Sequence, residues 1–330
     1  IATIFNHILR SGDSLNGKTQ AVIVYPMNAL INSQHEEFRK YERNYLKRKL
    51  PTGTPFEEGE KSLTEQIREL KEITGDIFPI RYGQYTGQEN EETREKMRVN
   101  PPHILMTNYM MLELILTRGG RDMDIRYNIL GNLRFLVFDE LHTYRGRQGS
   151  DVALLIRRIK AGAGNPVTCI GTSATMISSD TATLSEQKQE VAKIGSLIFG
   201  SDIHENQIVN EYLVKSLSTN IPVTPASVAQ SVTRGIDPAS PFTEFETNPV
   251  ANWLEENIAL ERKEGTLVRR KPLTDETIGH QLQEYCGRAE TECNPYITKL
   301  LKWSNRINSD PSRKKNFLPY RIHQFIAQTG

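Results

Sequence analysis

The stretch Phe135-Leu136-Val137-Phe138, followed directly by Asp139-Glu140-Leu141-His142, decides the fold class and indicates the chemistry. Four consecutive apolar residues are typical of a strand that helices cover on both faces of a parallel sheet. Two adjacent carboxylates at a strand end suit a magnesium–nucleotide site. Asp139 can bind Mg²⁺, usually through water, and Glu140 can orient or deprotonate an attacking water. A solvated strand end explains this tetrapeptide equally well when it is taken alone.

Three further apolar runs of strand length occur in the first two thirds of the chain. They cover residues 21–25 (AVIVY), 103–106 (HILM) and 167–170 (VTCI). Helical patterns separate the runs and cover residues 28–50, 62–74 and 109–118, and a helix capped by Ser150 is also predicted. A further strand is predicted over residues 78–82. Strands that alternate with helices in this way predict an α/β fold with a parallel sheet flanked by helices.

The pattern changes after about residue 215. Residues 222–249 are rich in Pro, Ser and Thr and are interpreted as an extended linker. Short helices are predicted over residues 253–262, 275–286 and 295–307. We therefore expect two domains, an α/β domain over residues 1–215 and a mostly helical module over residues 216–330.

Composition excludes several classes of protein. Lys and Arg number 41 against 40 Asp and Glu, so a nucleic-acid surface would have to be a local patch. No apolar stretch of about 18 residues occurs, so no membrane span is expected. The three cysteines are too few for a disulfide scaffold. Cys286 and Cys293, near His280 and Glu292, have poor spacing for zinc, and packing cysteines in a reduced, cytoplasmic protein are the preferred interpretation.

A second polar stretch follows the run at residues 167–170. It reads Gly171-Thr172-Ser173-Ala174-Thr175, and its small hydroxyl residues can hydrogen-bond His142 at a neighbouring strand end. By itself Ser173-Ala174-Thr175 is explained by a turn with a helix cap. Its place after the acidic stretch favours a device that transmits the state of a bound nucleotide.

Taken in order, these stretches resemble the motifs of superfamily 2 helicases of the DEAD/DEAH-box (DExH) type. The acidic stretch resembles motif II and Ser173-Ala174-Thr175 resembles motif III. The remaining matches are residues 24–34 (VYPMNALINSQ) with motif Ia, Thr86-Gly87 with a nucleic-acid loop, and residues 106–112 (MTNYMML) with motif Ib. The resemblance covers residues 1–215 and implies a RecA-like ATP-binding domain.

Two extensions resemble a narrower group. Residues 142–146 (HTYRG) with 149–152 (GSDV), and residues 318–325 (LPYRIHQF), are similar to bacterial DNA helicases linked to DNA repair or phage defence. The resemblance implies an ATP-dependent helicase that uses ATP and Mg²⁺. It also implies DNA rather than RNA as the partner, and a second RecA-like motor domain in the same full-length chain.

The resemblance also implies a role for each matching residue. Asp139 would hold Mg²⁺, Glu140 would activate water, and His142, Ser173 and Thr175 would couple hydrolysis to motion. The residues that would line the path of one nucleic-acid strand are Pro26, Asn28, Gln34, Thr86, Gly87, Thr107 and Asn108. Helix capping and surface solvation explain Asn28 and Gln34 nearly as well.

Residues 12–19 fit the phosphate-loop pattern G-x-x-x-x-G-K-T. Such a loop must follow a strand and open a helix, whereas this stretch follows a predicted helix at residues 3–10 and precedes a strand. We therefore expect a turn that matches by chance, with Lys18 and Thr19 at the opposite edge of the sheet from Asp139. The family's phosphate loop would lie upstream of residue 1, so the chain alone is expected to be inactive.

Two alternatives remain open at the level of the sequence. The first is a non-catalytic nucleic-acid-binding or scaffold protein that keeps a helicase-like fold. The second is a small phosphate-loop kinase or GTPase that uses Lys18, which requires a helix directly after Thr19.

Overall fold

A computed structural model of the chain places the four apolar runs in one five-stranded parallel sheet of order β2-β3-β1-β4-β5. The structure describes residues 1–12, 17–120, 122–173, 183–217, 221–263, 265–310 and 316–320. Their contacts divide the chain into two units, Ile1–Ile208 and Val209–Gly330.

The first unit alternates strands and helices, as the sequence predicts. Its strands are β1 (Ala21–Tyr25), β2 (Tyr82–Gln84), β3 (Ile104–Asn108), β4 (Phe135–Phe138) and β5 (Thr168–Gly171). Its helices are α1 (Ala2–Arg10), α2 (Asn28–Lys47), α3 (Leu63–Thr74), α4 (Glu91–Val99), α5 (Tyr109–Thr117), α6 (Met123–Asn132), α7 (Gly146–Gly162) and α8 (Leu184–Phe199). Short 3₁₀ turns cover Leu141–Thr143 and Glu205–Gln207.

Side chains alternate across the sheet and form a core on each face. Val22 and Val24 of β1 and Phe138 of β4 join a core built from α5, α6, α7 and α8. Ile23 of β1 and Val137 of β4 join a core built from α1 and α2. The central strands are therefore buried on both faces, which is the physical reason for their continuous apolar sequence.

Two local predictions in this unit are wrong. The strand expected at residues 78–82 pairs only from Tyr82 onward. The Arg81 amide donates to Nδ1 of His103 instead of a strand carbonyl, and Pro79 has no amide hydrogen to donate. Ser150 does not cap α7, which begins at Gly146. A positive φ of 57° at Gly146 opens this helix one turn earlier, and the Ser150 hydroxyl donates to the Gly146 carbonyl inside it.

The second unit is mostly helical with one two-stranded antiparallel hairpin. Its elements are α9 (Pro225–Arg234), α10 (Phe242–Glu246), α11 (Pro249–Trp253), a π-helical turn (Leu254–Ala259), β6 (Leu260–Lys263), β7 (Thr266–Arg269), α12 (Asp275–Cys286) and α13 (Glu290–Asn308). The helix expected at residues 275–286 is confirmed. The helix expected at 253–262 is instead a π turn that leads into β6, and the helix expected from 295 begins at Glu290.

The interpretation of residues 222–249 as an extended linker is wrong. Thr224 accepts a hydrogen bond from the amide of Ser227 and caps α9, whose first residue is Pro225. Proline at a first helical position and a hydroxyl residue before it are helix-start signals. The composition that suggested a linker therefore reflects helix capping.

A separate core holds the second unit together. Trp303 of α13 packs at right angles to Phe245 with ring centroids 5.1 Å apart, and its indole nitrogen donates to the Ser240 carbonyl. Cys286 and Cys293 are free thiols, and burial together with the Cys286 thiol raises the pKa of Cys293 to about 12.

Within the described residues, no helix has the length and hydrophobicity that a membrane crossing requires.

Candidate functional site

The carboxyl ends of all five parallel strands lie along one edge of the sheet, and the predicted site residues follow them in a row. Thr86-Gly87 follows β2, Asn108 ends β3, Asn28 begins the helix after β1, Asp139 follows β4 and Ser173 lies two residues after β5. At a strand spacing of about 4.8 Å the row is roughly 19 Å long. Ligands of open parallel sheets bind beyond this edge.

The acidic stretch is anchored to the strands on each side of it. The amide of Asp139 donates to the Val24 carbonyl of β1 at 2.9 Å, and the amide of Leu141 donates to the Thr172 carbonyl at 2.7 Å. The Thr172 hydroxyl donates to Oδ1 of Asp139. These bonds fix the direction of the Asp139 carboxylate at the sheet edge.

Glu140 has a left-handed backbone, with φ 49° and ψ 52°. This conformation costs a non-glycine residue roughly 1–3 kcal/mol and is concentrated at functional sites. The amide of Glu140 lies 3.4 Å from the Thr172 hydroxyl, and its carbonyl accepts from the backbone and the hydroxyl of Thr143. The acidic loop is therefore held in one conformation at some backbone cost.

The Glu140 side chain faces His142. Its Oε2 atom is buried and lies 3.2 Å from Nδ1 of His142, in contact range but without hydrogen-bond geometry. The same Nδ1 is hydrogen-bonded to the Ser173 hydroxyl at 3.1 Å. The structure thus brings together Glu140, His142 and Ser173. Thr175 lies outside the described residues.

Two tyrosines are close enough to feel the charge of Asp139. Burial, and to a lesser degree the Asp139 carboxylate, raises the pKa of both Tyr25 and Tyr144. Tyr144 packs edge-on against Phe138 at 5.7 Å. Its buried hydroxyl has no hydrogen-bond partner within the described part of the chain.

Gly171 allows the acidic loop to approach β5 closely. A Cβ atom at this position would lie 2.8 Å from Cδ2 of Leu141 and 3.2 Å from Cζ of Phe199. Any larger residue would displace the ends of the Leu141 and Phe199 side chains, and Asp139 and Glu140 directly precede Leu141. The glycine thus lets these two side chains pack against the end of β5.

A side-chain hydrogen bond between Asn28 and Asn108 joins the two segments that resemble motifs Ia and Ib. The Asn108 amide group donates to Oδ1 of Asn28 at 2.8 Å, while its Oδ1 caps α5 by accepting from the Met111 amide at 2.8 Å. Asn28 is the first residue of α2. Two helix N-termini therefore lie side by side at the sheet edge, where their free backbone amides favour anions such as phosphates.

The Thr86-Gly87 loop also presents backbone amides, but a side chain of this chain occupies them. Oε2 of Glu89 accepts from the amides of Thr86 and Gly87, each at 2.9 Å, and Oε1 accepts from the Thr86 hydroxyl at 2.6 Å. From the other side, the Arg94 guanidinium donates to the Gly87 carbonyl at 2.6 Å.

Thr107 is an exception among the predicted nucleic-acid contacts. Its side chain is fully buried in β3 and its hydroxyl donates to the Tyr85 carbonyl at 2.6 Å, so it cannot present this hydroxyl to a strand at the surface. Pro26 is half-buried directly after β1. Gln34 is half-buried on α2, about 9 Å along the helix axis from Asn28.

The turn expected within residues 12–19 falls largely on residues outside the described part of the chain. Residues 17–19 have no regular secondary structure and are held by hydrogen bonds to other segments. The Asn128 side chain accepts from the Thr19 amide at 2.8 Å and donates to the Gly17 carbonyl at 2.6 Å, and the Thr19 hydroxyl donates to the Pro102 carbonyl. Strand β1 begins two residues after Thr19. Lys18 therefore lies before the amino end of β1, whereas Asp139 follows the carboxyl end of β4. Because a strand and not a helix follows Thr19, the phosphate-loop kinase or GTPase alternative is excluded.

The site fits Mg²⁺ bound mainly through water and phosphate. Within the described ranges, no group of three His, Cys, Asp or Glu side chains could form a metal cage. Asp139 offers one oriented carboxylate, and Mg²⁺ is commonly held by one or two carboxylates together with waters and substrate phosphates.

Three residues at the sheet edge were not predicted as site residues from the sequence. Thr172 directly precedes the motif III match, and its hydroxyl orients Asp139. Tyr144 lies within the HTYRG extension, and Glu89 lies two residues after Gly87. Thr172 and Tyr144 adjoin recognised motifs, which is a usable signal, whereas Glu89 reads as one of several acidic residues that begin a helix.

The sheet order, with an acidic pair and hydroxyl residues at neighbouring strand ends, defines a RecA-like domain. The model of the DEAD/DEAH box helicase family matches residues 54–184. This part of the first unit is therefore similar to the DEAD/DEAH box helicase family, in agreement with the resemblance of its motifs.

Named relatives share parts of this unit. The Druantia protein DruE of Escherichia coli (strain UMEA 4076-1) is 40% identical over 98 residues, which are 26% of this chain and 5% of that protein. The uncharacterized ATP-dependent helicase YprA of Bacillus subtilis (strain 168) is 38% identical over 117 residues, 34% of this chain and 15% of that protein. The chain thus spans a small part of their length.

Among solved structures, that of the Mycobacterium smegmatis helicase Lhr bound to ssDNA and AMP-PNP is similar, with a TM-score of 0.41 and 20% identity. The match covers 78% of this chain and 28% of that chain.

Proposed function

We propose that the intact protein is an ATP-dependent nucleic-acid translocase or helicase, and that this chain supplies part of its first motor domain. The row of strand ends carries the proposal. The acidic residues after β4 are hydrogen-bonded to the hydroxyl residues after β5, and they lie next to the two helix N-termini after β1 and β3. One edge of one sheet thus holds groups suited to a nucleotide beside groups suited to a phosphate backbone.

The roles of the catalytic residues follow from their placement. Asp139, oriented by Thr172, would hold Mg²⁺, and this ion when bound with ATP offsets the negative charge of the phosphates. Glu140 is aimed by its left-handed backbone and would accept a proton from the attacking water. Its carboxylate faces His142, and His142 faces Ser173. A change at Glu140 would therefore be transmitted to the chain that follows β5, and Thr175 belongs to that proposed coupling device.

The nucleic-acid path would run across the ends of β1, β3 and β2. Asn28, Asn108, Thr86 and Gly87 offer amides at a protein edge, a set that contacts phosphates without reading bases. Pro26 and Gln34 flank this set. The preference for DNA over RNA rests on the resemblance of residues 142–152 to DNA helicases, and a role in DNA repair or phage defence in the cytoplasm is part of the same proposal.

For the 330-residue chain alone, we propose nucleic-acid binding without ATP hydrolysis. Gly17, Lys18 and Thr19 form the one Gly-Lys-Thr sequence in the chain, and they precede β1 at the wrong end of the sheet. The same observation is what favours the second candidate function, a nucleic-acid-binding scaffold that keeps the fold without catalysis.

Glu140→Gln tests the proposal in the intact natural protein. Because the amide cannot accept the proton of the attacking water, the rate of ATP hydrolysis stimulated by single-stranded DNA should fall by at least roughly 100-fold. Steady-state phosphate release, measured with DNA and with RNA of equal length, reports the loss and the preferred polymer.

Glu113→Gln is a matched control, since Glu113 pairs with Arg158 on the surface. It should hydrolyse ATP at the wild-type rate. Equal rates in wild type and Glu140→Gln would refute the role of Glu140. Binding of DNA without any hydrolysis in the intact protein would establish the scaffold instead.

A further inference from the structure

We infer that Glu89 is an internal competitor of nucleic acid, a carboxylate that occupies the phosphate-binding position of the Thr86-Gly87 loop until a strand displaces it. The inference rests on the proposed function, because it concerns the same path across the ends of β2, β3 and β1. It adds a regulatory element to that path, the Glu89 side chain, which we call the gate.

The geometry is that of a bound anion. Two consecutive backbone amides, of Thr86 and Gly87, converge on the single oxygen Oε2 of Glu89, each at 2.9 Å. The Thr86 hydroxyl donates to the other oxygen at 2.6 Å. Successive backbone amides that converge in a turn form a concave anion site, and a carboxylate and a phosphate present similar oxygens to it.

Bonds other than those to the Glu89 side chain also hold the loop. Gly87 has a φ of 92°, which glycine adopts without strain. Arg94 of α4 donates to the Gly87 carbonyl at 2.6 Å, and Asn90 caps α4 by accepting from the Thr93 amide. The backbone on each side of Glu89 is therefore fixed by other bonds, and its side chain can leave while the two amides stay in place.

The attachment of Glu89 to the loop favours displacement by a polymer over displacement by a single small anion. The other acidic residues nearby, Glu91, Glu92 and Glu95 of α4, are each paired with Arg98 or Lys96. A lone phosphate would have to replace an attached carboxylate that is always at high local concentration. A nucleic-acid strand that is also held at Asn28 and Asn108 gains the same advantage of attachment.

Binding of a fluorescent single-stranded DNA oligonucleotide to the 330-residue chain, followed by anisotropy, tests the inference. Glu89→Gln removes the charge and keeps the size of the side chain, so DNA affinity should rise roughly tenfold at low salt. The gain should shrink as salt screens the repulsion between Glu89 and the phosphates. Glu92→Gln, with the same charge change three residues further on in the first turn of α4, should alter affinity by no more than about twofold.

Amide hydrogen exchange of Thr86 and Gly87 gives an independent readout. In wild type both amides should be protected with and without DNA, because one anion replaces another. In Glu89→Ala they should exchange quickly in the free protein and become protected when DNA binds.

Tighter binding by Glu89→Gln than by Glu92→Gln supports the gate. Equal or weaker binding overturns it and makes Glu89 a structural brace of the loop. If wild type and variants alike fail to bind DNA or RNA, the proposed nucleic-acid path fails together with the gate. Binding by wild type with no effect at Glu89 refutes the gate alone.

Discussion

Thr172 shows how much of the candidate site depends on one hydroxyl group. It donates to Oδ1 of Asp139, lies 3.4 Å from the amide of Glu140, and its carbonyl accepts from Leu141. A hydrogen bond to a carboxylate is among the stronger ones in proteins. We therefore expect Thr172 to act as a positioning residue for Asp139, the carboxylate proposed to hold Mg²⁺.

Thr172→Val should keep the shape of the side chain and lose this hydrogen bond. In the intact natural protein we expect ATP hydrolysis to slow by roughly 10- to 100-fold. The Mg²⁺ concentration that gives half-maximal rate should rise, because a poorly aimed carboxylate binds the ion less well. Titration of the ATPase rate with Mg²⁺ measures both effects.

The control is Thr172→Ser, which keeps the hydroxyl and should hydrolyse ATP within a few-fold of wild type. Thr172 is exposed, so thermal unfolding should change little in either variant. An unchanged Mg²⁺ requirement in Thr172→Val would contradict the positioning role.

At the scale of elements, the acidic loop and helix α7 are connected by a close backbone approach. A Cβ atom at Gly149 of α7 would lie 2.7 Å from the Tyr144 carbonyl oxygen, which is backbone and cannot move without moving the loop. Gly131 of α6, in contrast, has no atom within 4 Å of such a Cβ among the residues described. Both glycines lie in helices, but only Gly149 is required by a close backbone contact.

Gly149→Ala should destabilise the first unit by roughly 1–3 kcal/mol, since the new methyl group forces the loop to shift. Gly131→Ala should instead stabilise it by about 0.4–1 kcal/mol, because alanine restricts the unfolded chain and meets no neighbour. Thermal and denaturant unfolding followed by circular dichroism measures both. A stabilising effect at both positions would show that the Tyr144 backbone can yield freely.

At the scale of the whole molecule, the two units have separate hydrophobic cores. The cluster around Trp303, Phe245 and Tyr296 contains only residues of the second unit, and the clusters on the two faces of the sheet contain only residues of the first. Side chains buried in one core add nothing to the other, so we expect each unit to unfold on its own.

Trp303→Ala should destabilise the second unit by about 3–5 kcal/mol, because it removes a large buried side chain and leaves a cavity. Phe38→Ala, at a fully buried position of the first unit, is the reciprocal variant. Hydrogen exchange resolved by peptide mass spectrometry should show faster exchange only in the mutated unit. Faster exchange in both units after either substitution would indicate one cooperative structure.

The sequence by itself determined β1, β3, β4 and β5 of the parallel sheet and the acidic end of β4. Residues 21–25 and 135–138 are continuously apolar because both faces of these strands are buried. Such a run of consecutive apolar residues can be recognised in the sequence without knowledge of the rest of the fold. Asp139 and Glu140 could be placed at the sheet edge for the same reason. The pattern at residues 12–19 could be rejected as a phosphate loop because the apolar run at residues 21–25 predicts a strand after it, where a phosphate loop requires a helix.

Only the tertiary structure decided which side chains meet. Thr172 and Asp139 are 33 positions apart in the chain, and Asn28 and Asn108 are 80 apart. Their hydrogen bonds exist because parallel strands bring their carboxyl ends to one edge, and strand order across the sheet is not a local property. The burial of the Thr107 hydroxyl and the placement of Glu89 in the loop depend in the same way on packing and side-chain direction, which sequence spacing does not encode.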